Sequence, residues 1–375
     1  MIYLDNAATS LPKPPEVADA MVQAINTFGG PGRGSHSAAL QASMEVFSAR
    51  CALAELFDGA GPEQVSFTHN ATEALNIALY GLVKPGSVVL TTMASHNSVL
   101  RPLNRLRDTQ RVEVRVAAVN PDGNLDFDDY MQKLPGASVV ALTHASNVTG
   151  DVYDIAALAR LAHDQGAHVV LDAAQTAGSI PISIKELDVD VLCFTGHKGL
   201  LGPQGTGGLC VKSDVAIPPL LEGGSGFASF DERHPHVMPE ALEAGTLNAH
   251  GIAGLRAGVD YIQKRGIIEI AKHERVLTRM MVQRLEAMDS IILYGRNTTE
   301  QTGVVAFSID GHDSSCVADY LAQEGVCTRA GAHCAPLMHK ALGTDQGGLV
   351  RMSVGPFTLQ SEVMQALDAV ERFID

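Results

Sequence analysis

The stretch SVVALTHASNVTGDVYDIAALARLAHDQGAHVVLDAA, residues 138–174, decides the fold class. SVVALTH (138–144) and HVVLDAA (168–174) are short apolar runs rich in β-branched residues and read as strands, while DIAALARLAHDQG (154–166) between them carries apolar residues at helical spacing. The same alternation extends outward. QVSFTH (64–69), VVLTT (88–92), VEVRVAAV (112–119), DVLCFTG (190–196) and GGLCVK (207–212) read as further strands, and ATEALNIALYGL (71–82) as a helix. Strand and helix alternating over more than a hundred residues imply an α/β domain, a mostly parallel seven-stranded sheet with helices on both faces. In such sheets ligands sit beyond the carboxyl ends of the strands.

After about residue 250 the texture changes. A long helical stretch (251–288) leads to GVVAFSID (303–310), GVCTRAG (325–331) and LVRMSVG (349–355), and a final helix spans 360–374. The expected organisation is a large domain over 15–250 and a smaller α+β C-terminal domain formed by 1–14 and 251–375.

The 375 residues are 46% hydrophobic and 18% charged, as expected of a globular protein with a substantial core. No apolar run is long enough to span a bilayer, and MIYLDNAATS lacks the basic and apolar regions of a signal peptide. A soluble, cytoplasmic protein is expected. The formal net charge of −15 argues against nucleic acid or an anionic membrane as partner, yet leaves room for a local anion pocket. The six cysteines (51, 193, 210, 316, 327 and 334) form no CxxC pair and no zinc spacing. Cys193 and Cys210 lie in apolar runs as small core residues. Cys334 differs: RAGAHCAPL (329–337) surrounds it with Arg329, His333 and Pro336, a loop setting in which thiols become reactive.

Each strand end in the first domain carries polar residues. Asn70, Ala71 and Thr72 lie where a helix begins, and either cradle an anion such as phosphate on the free N–H groups or merely cap the helix. His96 follows a strand, as a residue stacked on a flat heteroaromatic ligand or as a hydrogen-bonded loop residue. Asn147 can donate to a ring oxygen or serve a turn before Gly150. Asp172 ends four apolar residues, where an ionised carboxylate calls for a cationic or protonated partner, and Gln175 is placed to donate nearby. Lys198 follows a buried strand inside the glycine-rich turn FTGHKGLLGPQGTGGL (194–209), which is neither a Walker A loop nor a dinucleotide fingerprint. A desolvated lysine there can form a Schiff base. A phosphate cradle, a stacking His, an Asp for a pyridinium nitrogen and a Schiff-base Lys are together the parts of a pyridoxal phosphate (PLP) site.

With these residues in place, the chain closely resembles the cysteine desulfurase family, among the class V, fold-type I PLP-dependent transferases. The resemblance runs from YLDNAATSLPKP through NATEALN, SHNSVLRP, SNVTG, DAAQTAG and TGHKGLLGPQGTG to EAGTLN, RAGAHCAP and VRMSVG. It implies that Lys198 carries PLP, His96 stacks on the ring and takes part in catalysis, and Asp172 pairs with the ring nitrogen. It further implies that Gln175 and Asn147 touch the ring oxygen and that Ala71, Thr72, Thr195 and His197 hold the phosphate. Thr246 would reach the phosphate of a neighbouring protomer, which requires a homodimer. Arg351 would grip the substrate carboxylate, with Asn147 and Ala8 also against the substrate. The implied reaction converts L-cysteine to L-alanine; Cys334 takes the sulfur as a persulfide, helped toward its thiolate by His333 and Arg329, and passes it to an acceptor protein.

The short segment from Cys334 to Arg351 resembles the group II members. Ala332 stands where these usually have another His, and Thr195 where many have Ser, marking a side branch. Selenocysteine lyase, another class V aminotransferase or epimerase, and a non-catalytic PLP-binding partner protein are the competing readings. Iron–sulfur cluster assembly is the usual family outlet for the sulfur.

Overall fold

The computed structural model describes residues 1–32, 34–226, 229–295 and 300–374. In chain order its strands are β1 (Ile2–Tyr3), β2 (Val65–Thr68), β3 (Val88–Thr92), β4 (Glu113–Ala117), β5 (Ala137–Thr143), β6 (His168–Asp172), β7 (Val191–Thr195), β8 (Gly207–Val211), β9 (Ile291–Tyr294), β10 (Val304–Ile309), β11 (Val326–Cys327), β12 (Arg329–Gly331) and β13 (Leu349–Ser353). The helices are α1 (Pro15–Thr27), α2 (Ser37–Leu56), α3 (Ala71–Leu82), α4 (Asn97–Gln110), α5 (Phe127–Lys133), α6 (Ile155–Asp164), α7 (Ile184–Leu187), α8 (Ala249–Arg265), α9 (Ile267–Glu286), α10 (Ser314–Gln323), α11 (Pro336–Ala341) and α12 (Gln360–Ile374).

The expected seven-stranded sheet is present, in the order β2-β8-β7-β6-β5-β3-β4. From β4 to β7 every pairing is parallel, while β8 runs antiparallel to both β7 and β2. Two reversals restore the direction, so every strand except β8 delivers its carboxyl end to the same edge.

Side-chain alternation along the strands divides the core. Val140 and Leu142 of β5, Val169 and Leu171 of β6, and Leu192 and Phe194 of β7 pack on the face covered by α2, α6 and α8. Val139, Ala141, Val170, Val191 and Cys193 point the other way, against Leu75 and Leu79 of α3 and Val99 and Leu103 of α4. Both Cys193 and Cys210 are buried in these layers.

The stretch 251–288 is not one helix. It breaks at Gly266, whose φ of 86° closes α8 before α9 begins; glycine takes this conformation without a Cβ clash. A four-stranded antiparallel sheet, β12-β13-β10-β9, packs on α9, α10 and α12 through residues such as Met281, Phe307, Leu321 and Leu367. The start of the chain joins this unit. β1 pairs in parallel with β11, and Asp5 bridges to Ser353.

One buried ion pair places a distant loop. Arg50 of α2 binds Glu243 at 2.6 Å, and the Glu243 carboxylate also accepts from the Phe67 N–H at 2.6 Å. The segment carrying Thr246 is thereby tied to β2.

Candidate active site

The parity that fills the core also aims the site. Asp172 continues the face of Val170, Thr195 that of Val191 and Cys193, and Thr143 stands directly opposite Asp172. These three occupy the last turn-facing positions on the side where α3 and α4 begin. Together with Thr72, His96, Asn147, His197 and Lys198 they line a cleft of about 240 Å³.

The lysine turn is held by backbone contacts. Gly202 donates to the Gly196 carbonyl at 2.7 Å, Gly196 to the Thr206 carbonyl at 2.8 Å, and Ser10 to the His197 carbonyl at 2.9 Å. Gly178, at φ +86°, passes so close that a Cβ would lie 2.4 Å from the Gly199 carbonyl group. No other residue fits there. Lys198 is partly open to the cleft, and desolvation draws its ammonium down to about 8 against the opposing pull of Asp172.

Asp172 is buried, and its Oδ1 accepts from the Ala174 N–H at 3.0 Å. Desolvation raises its pKa. The expected cationic partner is not in contact: among the described residues Asp172 makes no ion pair, and Lys198 acts on it only across the cleft. A positively charged ring nitrogen would fill that role.

His96 caps α4, its Nδ1 accepting from the Ser98 N–H at 3.0 Å, and it also lines the cleft. Burial, then Lys198, Arg101 and Arg351, lower it to about 4, leaving a neutral ring. Asn70 caps α3 through the Glu73 N–H, and Thr72 shares a 2.8 Å hydrogen bond with Ser98. Thr195 Oγ1 and His197 Nδ1 are buried without a hydrogen-bond partner among the described residues. Two orphaned polar atoms beside the open first turn of α3, where Ala71 lies, fit an anionic phosphate group. The donor set therefore suits PLP.

Of the other expected residues, Asn147 and Gln175 each use one amide hydrogen within the protein and keep a second. The Asn147 side chain donates to the His333 carbonyl at 2.7 Å, and Gln175 donates to the Ala7 carbonyl at 3.2 Å. Ala8 lies in the turn after Asp5, its N–H on the Asp5 carbonyl at 3.1 Å. Thr246 lines a different cleft, with Phe67, Thr68 and Leu247, and does not join Lys198 within this chain.

Cys334 is exposed, at φ 56°, directly after His333 at φ 49°. Consecutive left-handed residues with side chains are unfavourable unless pinned. Here they are pinned through the Asn147 contact and through Asn97, which donates to the Cys334 carbonyl at 2.8 Å. The thiol residue borders a groove with Thr72, His96, Arg101 and Arg105.

The cationic help expected from its neighbours needs correction. Burial and Arg351 lower His333 to about 3, so its ring, stacked 5.5 Å from that of His339, is neutral. Arg329 is charged and within electrostatic reach of Cys334, but its fork lies on Asp5 at 2.8 Å. Sequence reading missed Asp5, which sits in the quoted YLDNAAT motif with no local pattern to mark it. It also missed Glu274, a buried carboxyl raised to about 8 by burial, lining a cavity that Lys198 shares.

Comparison with known proteins bears on this geometry. The family model for class-V aminotransferases matches residues 2–366. A probable cysteine desulfurase from Pyrococcus abyssi is 35% identical over 100% of this chain and 94% of its own length. The apo structure of a cysteine desulfurase from Thermococcus onnurineus superposes with a TM-score of 0.94 at 34% identity, covering 100% of this chain and 94% of that one. A cysteine desulfurase from Escherichia coli, in an S-sulfonic acid form, gives 0.90 at 29% identity with the same coverages.

Proposed function

The chain belongs to the class-V aminotransferase family and within it to the cysteine desulfurases, and from that premise we propose the roles of its residues in converting L-cysteine to L-alanine with transfer of sulfur to Cys334. The observation that carries this reading is the convergence on one cleft of a desolvated lysine, an uncompensated buried aspartate and two orphaned polar atoms, with an exposed cysteine at its rim.

PLP bound there supplies an electron sink that makes the substrate Cα–H acidic. Lys198 is the amine that would carry it, and its Nζ would move the proton, a task that suits a group titrating near 8. Asp172 would balance the ring nitrogen, His96 would cover the ring face, and Gln175 and Asn147 would border its oxygen. Thr72, Ala71, Thr195 and His197 would hold the phosphate. Arg351 receives the substrate carboxylate with its planar fork, beside Asn147 and Ala8. The Cys334 thiolate attacks the substrate sulfur: the S–S bond forms, the Cβ–S bond breaks, and its electron pair stays with the carbon skeleton, which takes up protons and leaves as alanine. Cys334 is left as a persulfide, and no external oxidant or reductant is consumed.

The enzyme works as a cytoplasmic homodimer, with Thr246 completing the partner's phosphate site. Its displacement from Lys198 within one chain and its tether through Glu243 support this. The short pinned loop around Cys334 favours an acceptor protein that comes to the thiol to collect sulfur, for iron–sulfur assembly.

Incubating the holoenzyme with L-cysteine and a reductant should release alanine and sulfide in equal amounts. Without reductant, the peptide containing Cys334 should be heavier by one sulfur atom in mass spectrometry. Alanine without that added sulfur would place the transfer on another residue.

A further inference from the structure

Arg329 and Arg351 stand directly opposite each other in the antiparallel pairing of β12 with β13. Like charges at opposed positions destabilise a sheet. Here one carboxylate lies between them. Arg329 donates to Asp5 from Nε at 3.1 and 3.2 Å and from a terminal nitrogen at 2.8 Å, while Arg351 donates to Asp5 Oδ1 at 3.1 Å. Arg351 also donates to the Asn147 carbonyl at 2.8 Å, and its buried Nε has no partner among the described residues. One edge of the Arg351 guanidinium is thus fixed by the protein, and a donor is left over for a ligand. Arg351 is 3% exposed and Asp5 8%, so the attraction is little screened.

We infer that Asp5 is a positioning residue with two linked effects: it fixes the fork that receives the substrate carboxylate, and it offsets the positive charge that Arg329 presents to Cys334. This rests on the roles proposed above for Arg351 and Cys334. The other ionisable groups around Asp5 are Tyr3 and Lys198. Those around Cys334, among the described residues, are Tyr80, His96, His333, Arg101 and Arg105. Both histidines are neutral at pH 7, lowered to about 4 and about 3, so a change at that pH reports the charge of Asp5.

Asp5→Asn keeps an acceptor and removes the charge. In the holoenzyme it should raise KM for L-cysteine about tenfold with a smaller change in kcat. At the same time it should speed alkylation of Cys334 by iodoacetamide at pH 7 about threefold or more. A merely structural defect would not weaken substrate binding while making this one thiol more reactive. Cys193 and Cys210, buried in the sheet core, should stay unlabelled and report that the fold is intact. Unchanged KM, or an unchanged or slower alkylation rate, overturns the inference. If Cys193 or Cys210 becomes labelled, Asp5→Glu decides instead, since it keeps the charge on a longer arm. A raised KM with wild-type alkylation supports the inference, and a wild-type KM overturns it. The alkylation rate does not depend on sulfur transfer, so a wild type that leaves no sulfur on Cys334 refutes the catalytic reading separately.

Discussion

Lys198→Ala should abolish desulfuration, with a loss of about 10⁴-fold or more, because in the proposed roles it removes both the amine that carries the cofactor and the group that moves the proton. The purified variant should lack the cofactor absorption that survives gel filtration. Its fold should not suffer. Burial lowers the folded-state pKa from 10.5 to about 8, so the folded state disfavours the ammonium. Stability linked to this group rises as pH increases from about 8 to 10.5, and at neutral pH the wild type bears the full desolvation penalty. Alanine removes that penalty. The apo variant should therefore melt at or above the apo wild type at pH 7, and a fall of several degrees would show that Lys198 is a structural residue. The same value sets cofactor capture. The neutral amine is the nucleophile, and its fraction grows about tenfold between pH 7 and 9 for a group near 8. Uptake of PLP by the apoenzyme should accelerate accordingly, and a flat profile would mean that the amine is already neutral at pH 7.

Cys334→Ala isolates the other half of the chemistry. The residue is exposed and lies at the rim of the cleft, outside its Lys198-bearing floor. The variant should hold PLP normally and show the spectral change of L-cysteine binding. Sulfide release should fall about 10³-fold or more, since no other described thiol borders the groove. The backbone at 334 is left-handed, φ 56°, and alanine tolerates this no worse than cysteine. A loss of activity cannot then be assigned to a collapsed loop if cofactor and substrate spectra persist. Retained sulfide release would sink the assignment of Cys334 as sulfur acceptor.

Residues whose meaning is local were legible in the sequence. Asp172, Thr195 and Lys198 sit at the ends of apolar runs, and strand parity alone orients them once the sheet is parallel. Helix α3 begins and ends where its periodicity does. What failed to show was set by contacts between distant parts of the chain. Asp5 meets partners 324 and 346 positions away, and no spacing rule encodes such a triad. The neutrality of His333 follows from burial and from Arg351, so its place beside Cys334 in the sequence suggested a cation that the fold removes. The reversal of β8 was equally hidden, because GGLCVK is as apolar as its parallel neighbours. Gly266 ended a helix in a stretch whose periodicity runs on through both sides.

The union of β1 with β11, and of Asp5 with β12 and β13, has a consequence for biosynthesis. A ribosome makes residues 2–5 long before their partners at 326–353. The sheet that carries Lys198 can assemble while translation continues, but Arg351, 346 positions after Asp5, can join it only late. A nascent chain can therefore complete the lining of the Lys198 cleft, which spans residues 70–198, well before Arg351 meets Asp5.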